Sequence, residues 1–236
     1  MRVLFLGNSH TYFNDMPRLF AQMCEELSGD RPEVTMLAYS GRSLAWHREE
    51  YFSLRFALLY GGYEFCVIQQ QAHPFPDVEE TRRSFHRIAS LCRAVGTKPV
   101  IFMTWAEKAK PENAPGMCRF YRELAGEEGA LLAPVGELFA RLDREHPEIE
   151  LYWKDGAHAS PYGDYLIAAC LTGLLCGTEK LEQLSDRGLD FRLDFTGEDG
   201  LPLALENPAE IPCLLDGEKA AVLRRAAAEK LREAGL

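Results

Sequence analysis

The chain has 236 residues, of which 47% are apolar and 26% charged, a balance that excludes a disordered polymer. Lys and Arg number 26 against 36 Asp and Glu, giving a net charge of −10. That balance argues against a nucleic-acid or anionic-membrane binder, which needs a basic face, and no apolar run approaches the roughly 18 residues of a membrane helix. A chain this long buries a core without staples. One domain over residues 1–236 is expected, with a core over 1–177, an irregular insertion over 178–215 and a C-terminal helix over 216–236.

Val3–Leu6 is the first predicted strand. The run stops at Gly7-Asn8, too short for the apolar stretch of a secretion signal, which predicts a cytoplasmic chain. The seven cysteines agree with a reducing compartment: they are odd in number, form no CxxC pair and sit mostly in apolar stretches such as Phe65–Ile68. No zinc spacing occurs, so neither metal nor any other cofactor is expected. Met16, Leu19, Phe20, Met23 and Leu27 predict a helix from about Asp15, with Pro17 in its first turn and Gly29 beyond its end. Val34–Ala38 is a second strand, and Leu44–Tyr60 reads as one helix stopped by Gly61-Gly62. Phe65–Gln69 is a third strand, followed by a helix from near Asp77 to Gly96. Pro99–Met103, a helix over Ala114–Ala125, a strand over Ala130–Val135 and a short helix over Glu137–Asp143 complete the alternation. Ser160-Pro161 opens a strong helix that runs to Gly177. Leu181–Pro212 reads as irregular or a short hairpin, and Asp216–Ala234 as a final helix. Such alternation implies a parallel sheet with helices on both faces, with ligands beyond the carboxyl ends of its strands.

Polar residues gather at those ends: Gly7-Asn8-Ser9-His10, Ser40-Gly41-Arg42, Gln69-Gln70-Gln71-Ala72-His73, Thr104-Trp105 and Asp155-Gly156-Ala157-His158. Ser9 fits a turn residue that satisfies backbone groups, or a nucleophile if a base reaches it. His10 is its neighbour and diverges from it, so His158 is the better base. Asp155, three residues before His158, fits either a capped turn before a helix or the acid that orients an imidazole.

Gly7-Asn8-Ser9 after the first strand, Gly41 after the second and Asp155-x-x-His158 near the end occur in an order that resembles the SGNH (GDSL-type) hydrolase superfamily. The likeness spans roughly residues 2–176 and includes the wording of Val3–Ser9 and Asp155–Gly163. It implies a three-layer α/β/α, flavodoxin-like fold on a parallel sheet of about five strands. It further implies a serine esterase acting on a small-molecule ester through an acyl-enzyme. Ser9 is then the nucleophile, His158 the general base and Asp155 its orienter. The oxyanion hole takes the amides of Ser9 and Gly41 and one side-chain amide. The sequence departs from the pattern at Asn8, where the family has Asp, and more seriously where the family has Gly-x-Asn. Here Gln69-Gln70-Gln71 occupies that region. Gln69 and Gln71 alternate to one side of the strand and Gln70 to the other. Gln71, beyond the strand end, is assigned the role. Loss of that donor costs about 2.7–4 kcal/mol in the barrier, which slows an enzyme without making it inert.

Candidate substrate contacts are Asn8, His10, Arg42, Gln69, His73 and Trp105, with core packing of Trp105 and solvation of Arg42 and His73 as the competing readings. Trp46 and Trp153 are expected to pack. His47, His86 and His146, in helical or acidic surface stretches, receive no role. A small acyl group such as acetyl, carried on a carbohydrate, suits part of the superfamily. The competing functions are a non-catalytic ligand-binding protein with an altered oxyanion motif, and a metal-dependent phosphoesterase using Asp155, His158, His10 and His73. The second lacks a carboxylate-rich cluster.

Overall fold

Short apolar runs bounded by glycine or polar residues become the strands of one sheet. The structure, a computed structural model, describes residues 1–189 and 212–235. In chain order it contains β1 (Arg2–Gly7), α1 (Ser9–Tyr12), α2 (Met16–Ser28), β2 (Glu33–Ala38), α3 (Leu44–Glu49), α4 (Tyr51–Gly61) and β3 (Phe65–Gln69). There follow α5 (Val78–Ala94), β4 (Lys98–Phe102), α6 (Ala114–Glu128), β5 (Leu131–Ala133), α7 (Val135–Glu145) and α8 (Pro161–Cys176). β6 (Arg187–Leu189), β7 (Pro212–Leu214) and α9 (Gly217–Glu233) complete the described residues.

Five strands form one parallel sheet in the order β2-β1-β3-β4-β5. This is the flavodoxin-like order, and it reverses between β1 and β3. Successive residues of a strand point to opposite faces. Val3, Phe5, Val67 and Phe102 therefore meet α2, α7, α8 and α9, whereas Leu4, Leu6, Cys66 and Ile68 meet α3 to α6. The result is three layers. α8 is buried on all sides from Gly163 to Leu174, between the sheet, α2 and α9, and its sequence is correspondingly apolar. Ser160 caps it by accepting from the amides of Tyr162 and Gly163.

Two elements differ from expectation. Leu44–Tyr60 is two helices, broken at Glu50, whose ψ of 40° ends the first. No glycine or proline marks that break. The residues between the first predicted strand and the helix predicted from about Asp15 form α1 and a 3-10 turn over Phe13–Asp15. Inside Leu181–Pro212, read as irregular or a short hairpin, β6 pairs antiparallel with β7, which begins at the last residue of that segment. Residues 190–211 of that segment lie outside the described residues. The seven cysteines are free thiols. Among the described residues no helix is long and apolar enough to cross a membrane.

Candidate active site

β1 delivers Ser9 to the point where the sheet order reverses. Asn8 caps α1, its Oδ1 accepting the His10 N–H at 3.0 Å. Its Nδ2 donates to the Arg42 carbonyl at 3.0 Å, which ties the Ser9 turn to the loop after β2. The Asn8 N–H and the Thr11 hydroxyl both donate to Gln69 Oε1, each at 2.8 Å. A Cβ on Gly7 would collide with that same oxygen and with Thr11 Oγ1, so only glycine lets β1 approach β3 so closely. Ser9 opens α1, so its N–H has no intrahelical acceptor. Gly41 stands exposed in the neighbouring turn with φ +67°, a conformation that favours glycine.

The second half of the site is the turn before α8. Trp153 N–H donates to the His158 carbonyl and Gly156 N–H to the Trp153 carbonyl, each at 2.8 Å. Lys108 N–H donates to the Gly156 carbonyl and Trp105 Nε1 to the Ala157 carbonyl, each at 2.9 Å, which fastens the turn to the segment after β4. Asp155 Oδ1 accepts from the amides of Ala157 at 2.9 Å and His158 at 3.0 Å. Its Oδ2 lies 2.6 Å from His158 Nδ1, and His158 Nε2 lies 2.8 Å from Ser9 Oγ. A carboxylate only accepts, so these partners put the imidazole proton on Nδ1 and leave the Nε2 lone pair facing the serine hydroxyl. Burial pushes the Asp155 carboxyl upward, but bonds from the Ala157 amide and the His158 ring and amide outweigh it and hold it below its usual range.

The three glutamines divide the work differently from the sequence reading. Gln69 is buried, with Oε1 engaged as above and Nε2 donating to the Gln70 carbonyl, so its amide is spent on supporting the turn. Gln70 is buried on the other side of β3. Its Oε1 accepts from the amides of Leu44 and Gln71, at 2.9 and 2.8 Å, and its Nε2 donates to Thr81 Oγ1 at 2.8 Å. Gln71 alone of the three is half-buried; one of its amide N–H bonds runs to the His73 carbonyl at 3.3 Å.

The five other candidate substrate contacts need correction or refinement. Asn8 is buried, and both ends of its side-chain amide are bonded to the backbone, Nδ2 to the Arg42 carbonyl and Oδ1 to the His10 N–H, so its work is structural. Trp105 is 1% exposed and stacks on Phe139 at 4.2 Å, so it backs the site from the core. His10 is buried against Trp105, His73 and His158. Burial first, then the neighbouring His158 and His73, hold it well below the usual histidine range. Arg42 is exposed and lies over the Trp46 ring at 5.3 Å. His73 is half-buried, and burial lowers it as well. Trp46 packs on Tyr39 at 4.8 Å and Trp153 against Phe13 at 5.8 Å. His86 and His146 pair with Glu128 and Glu148 on the surface.

His47, expected on the surface, is 3% exposed, and its Nε2 donates to the Gly7 carbonyl at 2.8 Å. Its spacing of three from buried Leu44 was the available signal. The reading also missed Asn14 and Asp164. Asn14 takes a left-handed conformation with φ 47°, and its Nδ2 donates to the Ala159 carbonyl at 3.2 Å and to Asp164 Oδ2 at 2.7 Å. The pair joins the turn that carries Ser9 to the helix that follows His158. Asp164 is fully buried, and burial raises its carboxyl far above the usual range despite the Asn14 bond. The native state thus favours the protonated carboxyl more than the unfolded chain does, whose carboxyl ionises around pH 4. A raised carboxyl contributes stability that is complete below the unfolded value and declines as pH rises toward the folded one. Asp164→Asn removes this dependence. The stability difference between variant and native chain should move toward the variant by about 1–3 kcal/mol from pH 5 to pH 7. Urea unfolding at the two pH values measures it, and a constant difference would mean that Asp164 is ionised in the native state.

No protein-family model and no curated protein sequence matches the chain. Solved structures do. TesA is 16% identical, with a TM-score of 0.57, over 73% of this chain and 98% of that one. The acetyl xylan esterase AlAXEase is 15% identical, with a TM-score of 0.59, over 71% and 96%. A variant of Axe2, an acetyl xylan esterase from Geobacillus stearothermophilus, is 12% identical, with a TM-score of 0.61, over 73% and 94%. The likeness is one of fold, and it is the fold that the resemblance to SGNH hydrolases implied.

Proposed function

We propose that the chain is a serine esterase of the SGNH type that hydrolyses a small-molecule carboxylic ester through an acyl-enzyme. The observation that carries this reading is the continuous chain from Ser9 Oγ to His158 Nε2 at 2.8 Å and from His158 Nδ1 to Asp155 Oδ2 at 2.6 Å. As Ser9 Oγ bonds to the substrate carbonyl carbon, its proton passes to His158 Nε2. The carbonyl oxygen becomes an oxyanion held by the amides of Ser9 and Gly41, with the remaining N–H of the Gln71 side chain as third donor. The intermediate collapses, the ester C–O bond breaks, and His158 gives its proton to the departing alkoxide. Water then attacks the acyl carbon while His158 takes its proton, and the acid leaves as that proton returns to Ser9 Oγ. Asp155 keeps the imidazole in the right tautomer and supports its positive charge. An acetyl group on a carbohydrate is the substrate class we favour, on the strength of the acetyl xylan esterases that share the fold.

A fluorophosphonate probe tests the reading directly. The expected adduct, located by mass spectrometry of the intact chain and its peptides, is on Ser9 alone. No adduct, or an adduct elsewhere, would favour a ligand-binding protein on the same fold.

A further inference from the structure

Ser9 is followed at positions +1 and +4 by two rings that the hydrolytic steps above do not use. His158 lies between them: the His10 ring stacks on it at 4.6 Å and 27°, the Phe13 ring at 4.7 Å and 21°. Each wall has its own backing. His10 rests on Trp105 at 5.3 Å, which in turn stacks on Phe139 at 4.2 Å; Phe13 meets the edge of Trp153 at 5.8 Å. His158 is thus the fourth ring of a six-ring column that runs from the core to the rim of the site.

From this geometry, and resting on the esterase reading above, we infer that His10 and Phe13 are positioning residues that fix the plane of the His158 imidazole. The two hydrogen bonds of that ring are made by its two different nitrogens, Nε2 to Ser9 and Nδ1 to Asp155. A tilt of the ring weakens both together, because hydrogen bonds lose strength steeply off line. The Asp155 bond is a single pivot and does not stop rotation about itself. Two faces pressed from either side do. The burial that holds His10 uncharged also keeps a second cation away from the imidazolium formed during the reaction. One short segment, Ser9–Phe13, therefore supplies both the hydroxyl and the slot in which its base sits.

The test compares ring-keeping with ring-removing variants. His10→Leu and Phe13→Leu are expected to lower kcat on p-nitrophenyl acetate about 10- to 100-fold, with KM within about twofold. The rate of fluorophosphonate labelling at Ser9 should fall by a similar factor. His10→Phe, which keeps a ring and loses both nitrogens, should recover all but about threefold of the loss. Proton NMR supplies a readout independent of turnover: the Nδ1 proton shared by His158 and Asp155 should give a far-downfield resonance in the native chain that broadens or vanishes in the Leu variants and persists in His10→Phe. Wild-type kcat and an unchanged resonance in both Leu variants would overturn the inference. So would a His10→Phe variant as impaired as His10→Leu, since a His10 nitrogen would then be the operative group. Should His10→Leu fail to fold, as judged by thermal melting, Phe13→Leu carries the same comparison from the other wall. If the native chain neither turns over the ester nor takes the probe, the esterase reading falls, and the resonance still decides whether the slot holds the imidazole.

Discussion

Ser9→Ala is expected to lower kcat on p-nitrophenyl acetate by about 10⁴- to 10⁶-fold and to abolish fluorophosphonate labelling. Alanine removes the atom that bonds the acyl carbon, so no acyl-enzyme forms. What remains is binding, the backbone oxyanion donors and whatever water His158 activates directly. The loss should not come from unfolding. The turn is held by Asn8, Thr11 and Gln69 through bonds that bypass the Ser9 hydroxyl, whose recorded bond is to His158. Thermal melting of the variant should therefore match that of the native chain. Because the two residues act as one unit, Ser9→Ala combined with His158→Ala should be scarcely slower than either alone. A single variant that retains more than a tenth of native kcat would remove Ser9 from the mechanism.

Asp155→Asn carries the second large effect, a fall in kcat of about 10³- to 10⁴-fold. The amide oxygen can still accept from the Ala157 and His158 amides, so the turn keeps its shape. Facing His158 Nδ1, however, the variant offers an NH₂ donor where a carboxylate oxygen accepted at 2.6 Å. The imidazole answers by moving its proton to Nε2, where it points at the Ser9 hydroxyl. Two donors then meet and no lone pair is available to take the serine proton. Steady-state kinetics with an intact melting profile measures this. A loss under tenfold would show that the orientation of His158 does not depend on the carboxylate, and would direct attention to its stacked neighbours.

The strands were legible because buried parallel strands are short continuous apolar runs. Phe65–Gln69 was bounded to the residue, and β1, β2 and β4 to within one or two. The helix starts near Asp77, Ser160-Pro161 and Asp216 were also readable, and in the structure each of those Asp or Ser side chains accepts from amides of the first turn. The break at Glu50 was not legible, because no residue there forbids a helix. Alternation along β3 correctly separated Gln69 from Gln70. It could not say that each would bind a different loop, since that depends on what the opposite faces of the sheet receive from distant segments. Burial of His47 and Asp164 escaped for a related reason. A polar residue in an amphipathic pattern reads as solvated unless its partner is known, and those partners, the Gly7 carbonyl and Asn14, come from elsewhere in the chain. The meeting of Ser9 with His158 came from the wording of the motifs around them and not from any periodicity.

The residues that meet at Ser9 Oγ and His158 Nε2 stand 149 positions apart in the chain. A ribosome adding about 5–20 residues per second polymerises the serine about 7–30 seconds before the histidine. Throughout that interval the hydroxyl is an ordinary alcohol, although β1 and its cap can already be made. Reactivity must wait until α8 has emerged and docked on α2, and it then arrives in one step. A nascent chain that has not yet delivered His158 and α8 carries the serine without the ring that meets it in the folded protein.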